Sequence, residues 1–163
     1  MQQSFKSLIP TLRRFAYSLT GSTADADDLV QTTMERILDK GIPAEIEITK
    51  WAFKVCRNVW IDEYRARKTR LAAVEKPELQ QIHNVEDESQ RESKEKLKQV
   101  HLAMDNLPSD QRSILSMVAL QGMSYKDVSS ILKIPVGTVM SRLSRARTTL
   151  LDKVNTQQLG DQI

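Results

Sequence analysis

Apolar residues recur at intervals of three and four along most of the chain, which is the spacing of one face of an α-helix. Residues 1–40 predict two such helices separated at Gly21, which suits a C-terminal stop. Ser22 or Thr23 is the expected N-cap of the second helix, because either hydroxyl can accept a backbone N–H of the first turn. The predicted core face of that helix is made of its apolar residues: Leu29, Val30, Met34, Ile37 and Leu38.

A loop is predicted over residues 41–49, where glycine and proline interrupt the helical pattern. A long helix is expected to follow over about residues 50–70. Basic residues follow one stripe of this helix and alternate with Trp51, Trp60 and Tyr64. Such a pairing can hold single-stranded DNA by charge and stacking, although the aromatics can equally be core residues, which we favour for Trp51.

Residues 71–96 are polar, mostly charged and poor in apolar residues, so they predict a flexible or partly helical linker. Helical spacing returns before Leu107 and predicts the first helix of a second domain. The next helix is expected to have Ser109 as its N-cap and to end at Gly122.

The stretch 124–151 predicts two short helices joined by a tight turn, with Ser124 as the N-cap of the first. Lys133 lies at the turn, where glycine or asparagine would tolerate a left-handed backbone more easily, and Pro135 suits the start of the next helix. The second helix has a predicted buried stripe: Val136, Val139, Leu143, Ala146 and Leu150. This is a helix-turn-helix pattern.

Composition favours an all-α protein, because helix formers dominate and only five glycines and three phenylalanines occur in 163 residues. The single cysteine, Cys56, excludes an internal disulfide and fits a reducing compartment. No apolar run is long enough to cross a bilayer, and the first residues lack a signal-peptide core. We therefore expect a cytoplasmic protein without membrane insertion.

Charge is unevenly distributed along the chain. The net charge is 0 for residues 1–40, +3 for 41–70, −3 for 71–105 and +3 for 106–163, in agreement with the total of +3. Two basic blocks separated by an acidic one suggest two nucleic-acid-binding modules on a linker that avoids DNA.

The outer face of the last predicted helix combines hydroxyls with arginines, which suits contact with base edges and phosphates in a major groove. A solvated basic face is the alternative for this helix taken alone. A metal site at Asp25, Asp27, Asp28 and Glu35 is not favoured, because neither histidine follows a glutamate at the spacing of a helical di-iron site. We expect no cofactor.

Three motifs resemble the extracytoplasmic-function (ECF, group 4) sigma factors of bacterial RNA polymerase. Residues 135–147, PVGTVMSRLSRAR, resemble sigma region 4. Residues 25–31, DADDLVQ, resemble region 2.2, and residues 51–65 resemble regions 2.3 to 2.4. The motifs occur in family order, with a linker between them. The resemblance implies two small helical domains, region 2 over residues 1–70 and region 4 over residues 97–163, joined by an acidic linker over 71–96.

The resemblance also implies three binding faces. Core polymerase would be bound, through the clamp helices of its largest subunit, by one face of the second helix: Asp28, Gln31, Thr32 and Glu35. The minus-ten element would be held as a single strand by residues of the long helix: Lys54, Arg57, Asn58, Arg65 and Lys68. A flipped minus-ten base would enter the loop at 41–49.

The minus-thirty-five element would be read as duplex by the last helix, through Thr138, Ser141, Arg142, Ser144, Arg145 and Arg147. Met140 stands where a basic residue is common in the family, which removes one possible DNA contact. Further implied partners are the flap of the second-largest polymerase subunit, promoter DNA and an anti-sigma factor, which can hold the protein at the membrane.

Two other functions remain open at this point. A stand-alone helix-turn-helix regulator would bind duplex operators without polymerase, and the region 2 motifs argue against it. A nucleic-acid-processing enzyme would need a nucleophile, a metal set or a phosphate loop, and the sequence offers none of these. A sigma factor that initiates transcription without catalysing a reaction itself is the favoured interpretation.

Overall fold

The structure, a computed structural model, describes the backbone of residues 2–71, 100 and 102–160 and the side chains of residues 5–63, 66, 100 and 102–153. The described residues contain helices, turns and loops but no strand. The helices are α1 (Gln2–Thr20), α2 (Thr23–Lys40), α3 (Ile48–Leu71), α4 (Ser109–Leu115), α5 (Tyr125–Leu132) and α6 (Val136–Gly160), with a π-helical turn (Ser116–Leu120) after α4. The all-α prediction is confirmed. The predicted linker at 71–96 lies almost entirely outside the described residues.

Helices α1, α2 and α3 form the first bundle and pack against one another. Leu12, Phe15 and Leu29 are fully enclosed at its centre. Phe15 also meets Phe53 of α3 edge to face, with ring centroids 4.7 Å apart. This is a favourable aromatic geometry, worth about 0.5–1.5 kcal/mol beyond the buried area. The bundle therefore supports α3 along the side that faces away from its basic stripe.

The ends of α1 and α2 follow the expected chemistry. Gly21 has a φ of 71°, the left-handed conformation that glycine adopts at little cost. Ser22 is the N-cap of α2, and its hydroxyl accepts the Asp25 N–H at 3.3 Å. The prediction for Leu38 is wrong, because this side chain is 72% exposed. It lies about 100° around the helix from the buried Ile37, which turns it away from the core.

Residues 102–105, α4, the π-helical turn, α5 and α6 form the second bundle around Ile114, Met117 and Val128. We predicted Ser109 as the N-cap of α4, but it is the first residue of that helix. The N-cap is Pro108, which has an extended backbone (φ −55°, ψ 147°). Its side chain makes no hydrogen bond to cap the helix. Its carbonyl accepts the Arg112 N–H at 2.9 Å, so the helix begins one residue earlier than the serine suggested.

The helix-turn-helix is formed by α5 and α6. The Ser124 hydroxyl caps α5 by accepting the Asp127 N–H at 3.0 Å. Lys133 ends α5 in the left-handed conformation (φ 53°, ψ 46°), the conformation for which glycine or asparagine is better suited. Ser129 closes the turn, because its hydroxyl donates to the Ile134 carbonyl at 2.5 Å.

The predicted buried stripe of α6 is confirmed at Val139, Leu143 and Ala146 but not at Val136, which is 41% exposed. Val136 is the first residue of α6, and helical Cα–Cβ bonds tilt toward the N-terminus. Its side chain therefore projects past the end of the core.

The two bundles pack against each other, α1 against the π-helical turn and α3 against α5. A single cluster of buried apolar side chains runs through both bundles. The structure is therefore a closed arrangement in which α3 and α6, the two helices predicted to bind DNA, belong to one packed unit.

Replacing Lys133 with glycine is expected to raise the free energy of unfolding by about 0.5–1 kcal/mol, because glycine accepts the left-handed backbone with little strain. Urea unfolding measures this difference. The matched control is Ser130→Gly, an exposed position inside α5, where the free energy of unfolding should instead fall by about 0.5 kcal/mol. A loss of stability in Lys133→Gly equal to that of the control would contradict this account of the turn.

The thiol of Cys56 is expected to be chemically inert in the folded protein. Burial raises its pKa from the ordinary 9.0 to about 12, with a further increase from Glu63 and an opposing hydrogen bond from Thr33. The raised pKa means that its contribution to stability is complete below pH 9.0 and is lost as the pH rises toward about 12. A thiol reagent at neutral pH should react about a hundredfold or more faster after unfolding in urea. Equal rates before and after unfolding would show that the thiol is accessible.

Candidate nucleic-acid interface

The predicted polymerase-binding residues lie together on the outer side of α2. Asp28, Gln31 and Glu35 are exposed, and Thr32 is half-buried between them. The Thr32 hydroxyl donates to the Asp28 carbonyl at 3.0 Å, and the Gln31 amide donates to Glu35 Oε1 at 3.5 Å. These four residues are spaced by three and four, so one helical face presents two carboxylates and an amide to a partner.

The predicted minus-ten residues are not all presented alike by α3. Lys54 is half-buried, with Nζ 5.2 Å from the centre of the Trp51 ring, and Asn58 is exposed. Arg57 turns instead toward the second bundle, where its side chain is only 12% exposed. Arg65 and Lys68 continue along α3, but their side chains lie outside the described residues.

The tryptophans of α3 differ from expectation. Trp60 is buried, at 5% exposure, whereas Trp51, which we favoured for the core, packs against the core but stays half-buried beneath Lys54. Trp51 thus carries the pairing of cation and aromatic ring on a partly accessible surface. Stacking by Trp60 is incompatible with its burial in this closed arrangement.

The predicted minus-thirty-five residues lie on the first turns of α6. Four of them are exposed, namely Ser141, Ser144, Arg145 and Arg147, whereas Thr138 and Arg142 are half-buried. The Ser141 hydroxyl donates to the Thr138 carbonyl at 3.1 Å. Because Val139, Leu143 and Ala146 anchor the opposite side in the core, this face is held rigidly toward the outside.

Asp110 of α4 lies between the two predicted DNA-binding helices. Its Oδ1 accepts from Arg57 Nη2 at 2.6 Å, and its Oδ2 is 3.8 Å from Arg142 Nη1. Arg57 Nε also donates to the Ser113 hydroxyl at 2.9 Å. One carboxylate therefore contacts an arginine from each predicted promoter-binding set.

Arg112 of α4 joins the two bundles from a buried position, with its side chain 3% exposed. Its Nε and Nη2 donate to the Ser18 carbonyl at 3.3 and 3.2 Å, and its Nη1 meets Asp105 Oδ1 at 2.5 Å. The guanidinium carbon lies 6.0 Å from the centre of the Trp60 ring. The hydroxyls of Ser18 and Ser116 are in contact beside it.

Sequence reasoning missed Asp110 and Arg112. Arg112 shares a helical face with Leu115 and Ser116. A charged residue on the apolar face of a helix is unusual, and this could have indicated that Arg112 is buried and paired. No comparable signal marks Asp110, because an acidic residue in the first turn of a helix is ordinary.

A further ion pair joins α3 to α5, where Lys50 Nζ lies 3.0 Å from Asp127 Oδ1. The hydrogen bond from Lys50 is the main cause of a lowered pKa of the Asp127 carboxyl, helped by the hydrogen bond with Ser124 and by the charge of Lys126. Removal of the carboxyl from water acts in the opposite direction. The ion pair is thus a titratable marker of the contact between the bundles.

An apolar groove of about 590 Å³ lies at the contact between the bundles. Residues of both bundles line it, including Tyr17, Ala26, Val100, Met104, Leu115, Leu120 and Leu150. Arg13 and Arg14 of α1 also lie on its lining. Its dimensions suit an apolar side-chain row of a partner, and its basic residues suit acidic neighbours of that row.

Comparison with known proteins accounts for both bundles. A family profile described as Sigma-70 region 2 matches residues 5–70, and one described as Sigma-70, region 4 matches residues 97–150. The ECF RNA polymerase sigma factor EcfG of Rhodopseudomonas palustris is 33% identical over 153 residues, which span 92% of this chain and 82% of that protein. This chain belongs to the ECF sigma factors. The resemblance inferred from its motifs is confirmed.

This sigma factor is also similar to the ECF RNA polymerase sigma factor SigC of Mycobacterium tuberculosis, with 33% identity over 131 residues, 77% of its own chain and 68% of SigC. The sigma factor RpoE from Bartonella quintana, solved in complex with the anti-sigma factor NepR, superposes with a TM-score of 0.70 at 25% identity, covering 94% of this chain and 96% of RpoE. CnrH, solved in complex with the cytosolic domain of CnrY, has the same fold, with a TM-score of 0.67 at 22% identity, covering 96% of this chain and 90% of CnrH.

None of the described helices is both long and apolar enough to span a membrane. Within the same residues, no group of three or more His, Cys, Asp or Glu side chains could hold a metal ion.

Lys50→Met is expected to return the pKa of Asp127 toward its ordinary value, as measured by NMR titration of the carboxyl. Because the pKa is lowered in the folded protein, the ion pair is complete above the ordinary pKa and is lost as the pH falls through the lowered one. Lys54→Met removes an equal charge from the same helix and should leave Asp127 unchanged. An unaltered Asp127 titration in Lys50→Met would mean that α3 and α5 are not joined at this point in solution.

Proposed function

We propose that this sigma factor binds core RNA polymerase, recognises minus-thirty-five and minus-ten promoter elements, promotes DNA melting for transcription initiation, and is controlled by an anti-sigma factor. The observation that carries the proposal is that a single chain presents a polar, acidic face on α2 and a basic outer face on α6, with Lys54 and Arg57 on α3. It acts in the cytoplasm and works by binding rather than by catalysis.

Core polymerase binding is assigned to the α2 face formed by Asp28, Gln31, Thr32 and Glu35. The partner surface on the clamp helices of the largest subunit needs basic and hydrogen-bonding groups opposite these side chains. The second bundle is assigned to the flap of the second-largest subunit. Residues 1–70 and 97–163 then act as two modules of the initiating complex, and residues 71–96 connect them.

Minus-ten recognition is assigned to α3 and to the loop before it. Lys54, Asn58, Arg65 and Lys68, with Arg57 once it is released from Asp110, hold the single strand and the upstream phosphates. The loop at residues 41–47, exposed except at the half-buried Ile42, receives a flipped base; it is two residues shorter than expected because α3 begins at Ile48. Contacts in that pocket offset an unstacking cost of a few kcal/mol, about the size known for flipped bases.

Minus-thirty-five recognition is assigned to the outer face of α6. Arg145 is exposed on this face, one turn after Ser141 and next to Ser144 in the chain. The short hydroxyls allow close approach to the groove, and a guanidinium can bond two acceptors on a guanine edge. Thr138, Arg142 and Arg147 flank these residues and contact phosphates, which adds affinity and salt dependence.

Regulation is assigned to an anti-sigma factor, as in the RpoE complex with NepR. The apolar groove between the bundles is the proposed seat of an amphipathic anti-sigma helix, whose apolar row would meet Met104, Leu115 and Leu150. Acidic residues on that helix would meet Arg13 and Arg14. A partner seated there would touch both bundles and hold them in the closed arrangement.

The test combines core-polymerase binding with transcription from a genomic fragment library. Arg145→Ala is expected to weaken binding to the recovered minus-thirty-five duplex by about 5- to 150-fold, the equivalent of about 1–3 kcal/mol, with core binding unchanged. Asp28→Ala should weaken core binding and leave duplex affinity unchanged. Fluorescence anisotropy measures both interactions.

Two exposed charge changes serve as matched controls. Lys6→Ala removes a positive charge from α1 and is the control for duplex binding, and Asp152→Ala removes a negative charge from α6, away from the α2 face, and is the control for core binding. Both should behave as the wild type. Binding of duplex DNA without any binding of core would replace the proposal with a stand-alone helix-turn-helix regulator.

A further inference from the structure

Asp110 is the point at which the two proposed promoter-binding helices meet within the protein. Its carboxylate spans from Arg57 Nη2 at 2.6 Å to Arg142 Nη1 at 3.8 Å. The two arginines come from different bundles and are predicted to bind different promoter elements.

Arg57 is enclosed as well as paired at this point. Its Nε donates to the Ser113 hydroxyl at 2.9 Å, and that hydroxyl in turn donates to the Asp110 carbonyl at 3.1 Å. With its side chain only 12% exposed, Arg57 is much less accessible than Asp110, whose side chain is 51% exposed. The guanidinium fork is therefore occupied on the side that a phosphate would need.

A carboxylate and a phosphate offer arginine the same kind of partner, since each presents negatively charged oxygens to two N–H donors. The Arg57 Nη2 that binds Asp110 cannot also bind DNA in the same geometry. Promoter binding through Arg57 thus requires that the pair with Asp110 open first. Arg142 is bound less tightly by Asp110, because its contact is longer and its side chain is 34% exposed.

We infer that Asp110 substitutes for a DNA phosphate within the free sigma factor, holding Arg57 across the bundles and contacting Arg142 within the second bundle, in a closed, autoinhibited form that competes with promoter DNA. The inference rests on the proposed function, in which both arginines contact the promoter. Release occurs when the bundles separate, which parts Arg57 from Asp110, whereas Arg142 and Asp110 both stay in the second bundle.

A second ion pair across the contact between the bundles also favours the closed form. Lys50 and Asp127 form a second pair in which the first bundle supplies the cation and the second the anion, as for Arg57 and Asp110. Two cations of α3, Lys50 and Arg57, are therefore matched to acidic residues of the second bundle. This complementarity is the arrangement expected of an intramolecular ligand.

The test measures closure and DNA affinity separately in the free full-length protein. Spin or dye labels at Leu38→Cys on α2 and Thr148→Cys on α6 report the separation of the bundles, since both positions are exposed and Cys56 is buried. The DNA probe is a mixed-sequence single-stranded oligonucleotide at about 50 mM salt, where phosphate contacts contribute strongly. This probe requires no knowledge of the promoter.

Asp110→Asn is expected to increase the population with separated labels and to raise oligonucleotide affinity about three- to tenfold, the effect of releasing charge-assisted hydrogen bonds. Asp152→Asn removes the same charge from an exposed position of α6 and should change neither quantity. In an Arg57→Gln background, Asp110→Asn should add much less affinity, because the masked group is already absent. If Asp110→Asn behaves as Asp152→Asn in both measurements, the inference is wrong.

A second measurement avoids any risk that Asp110→Asn fails to fold. Arg57→Gln removes the same pair from the other side while keeping Asp110, so its labels should also shift toward separation. Labels that stay together in both Asp110→Asn and Arg57→Gln would overturn the inference.

Failure of this inference can be distinguished from failure of the proposed function. If the labels separate in Asp110→Asn without a gain in affinity, and Arg57→Gln binds DNA as the wild type does, the assignment of Arg57 to promoter binding has failed, and the inference fails with it. If Arg57→Gln weakens DNA binding but Asp110→Asn does not strengthen it, the inference alone is overturned. Core-polymerase binding, measured as above, is independent of either result.

Discussion

The packed arrangement of the two bundles depends on one buried guanidinium. Arg112 is almost fully enclosed, and it donates twice to the Ser18 carbonyl, which belongs to the last turn of α1. The last four carbonyls of a helix have no partner within it, and α1 has no basic residue of its own in that turn. The second bundle therefore supplies the cation that the first lacks. Separating the bundles leaves both groups to be solvated again.

Around this centre, the same surfaces serve two purposes. The inner sides of α3 and α6 build the cores of their bundles, which positions the basic residues on their other sides. Some of those basic residues face outward, as Arg145 does, whereas Arg57 faces the partner bundle. A closed protein and a promoter-bound protein thus draw on one set of cations, and the balance between them is set by which anion is present.

Local features were predictable from sequence because their causes are local. The cap at Ser124 and the left-handed Lys133 follow from residues within a few positions of each other. The predictions of burial failed at the edge or the end of a helical face. Leu38 lies just outside the buried face of α2, and Val136 is the first residue of α6. Of the candidate sites, the outward face of α6 followed from periodicity. The pairing of Arg57 with Asp110 did not, because 53 positions separate the two residues and no repeat connects them.

The continuous apolar cluster that runs through both bundles has a thermal consequence. Opening the protein exposes part of that cluster to water, and hydrating apolar surface raises the heat capacity. The equilibrium between closed and open forms must therefore curve with temperature, and the apolar part of closure weakens on cooling while the charge pairs persist. At low temperature the closed form is therefore stabilised less by apolar packing and relatively more by its ion pairs. The equilibrium between closed and open forms should then depend most strongly on ionic strength.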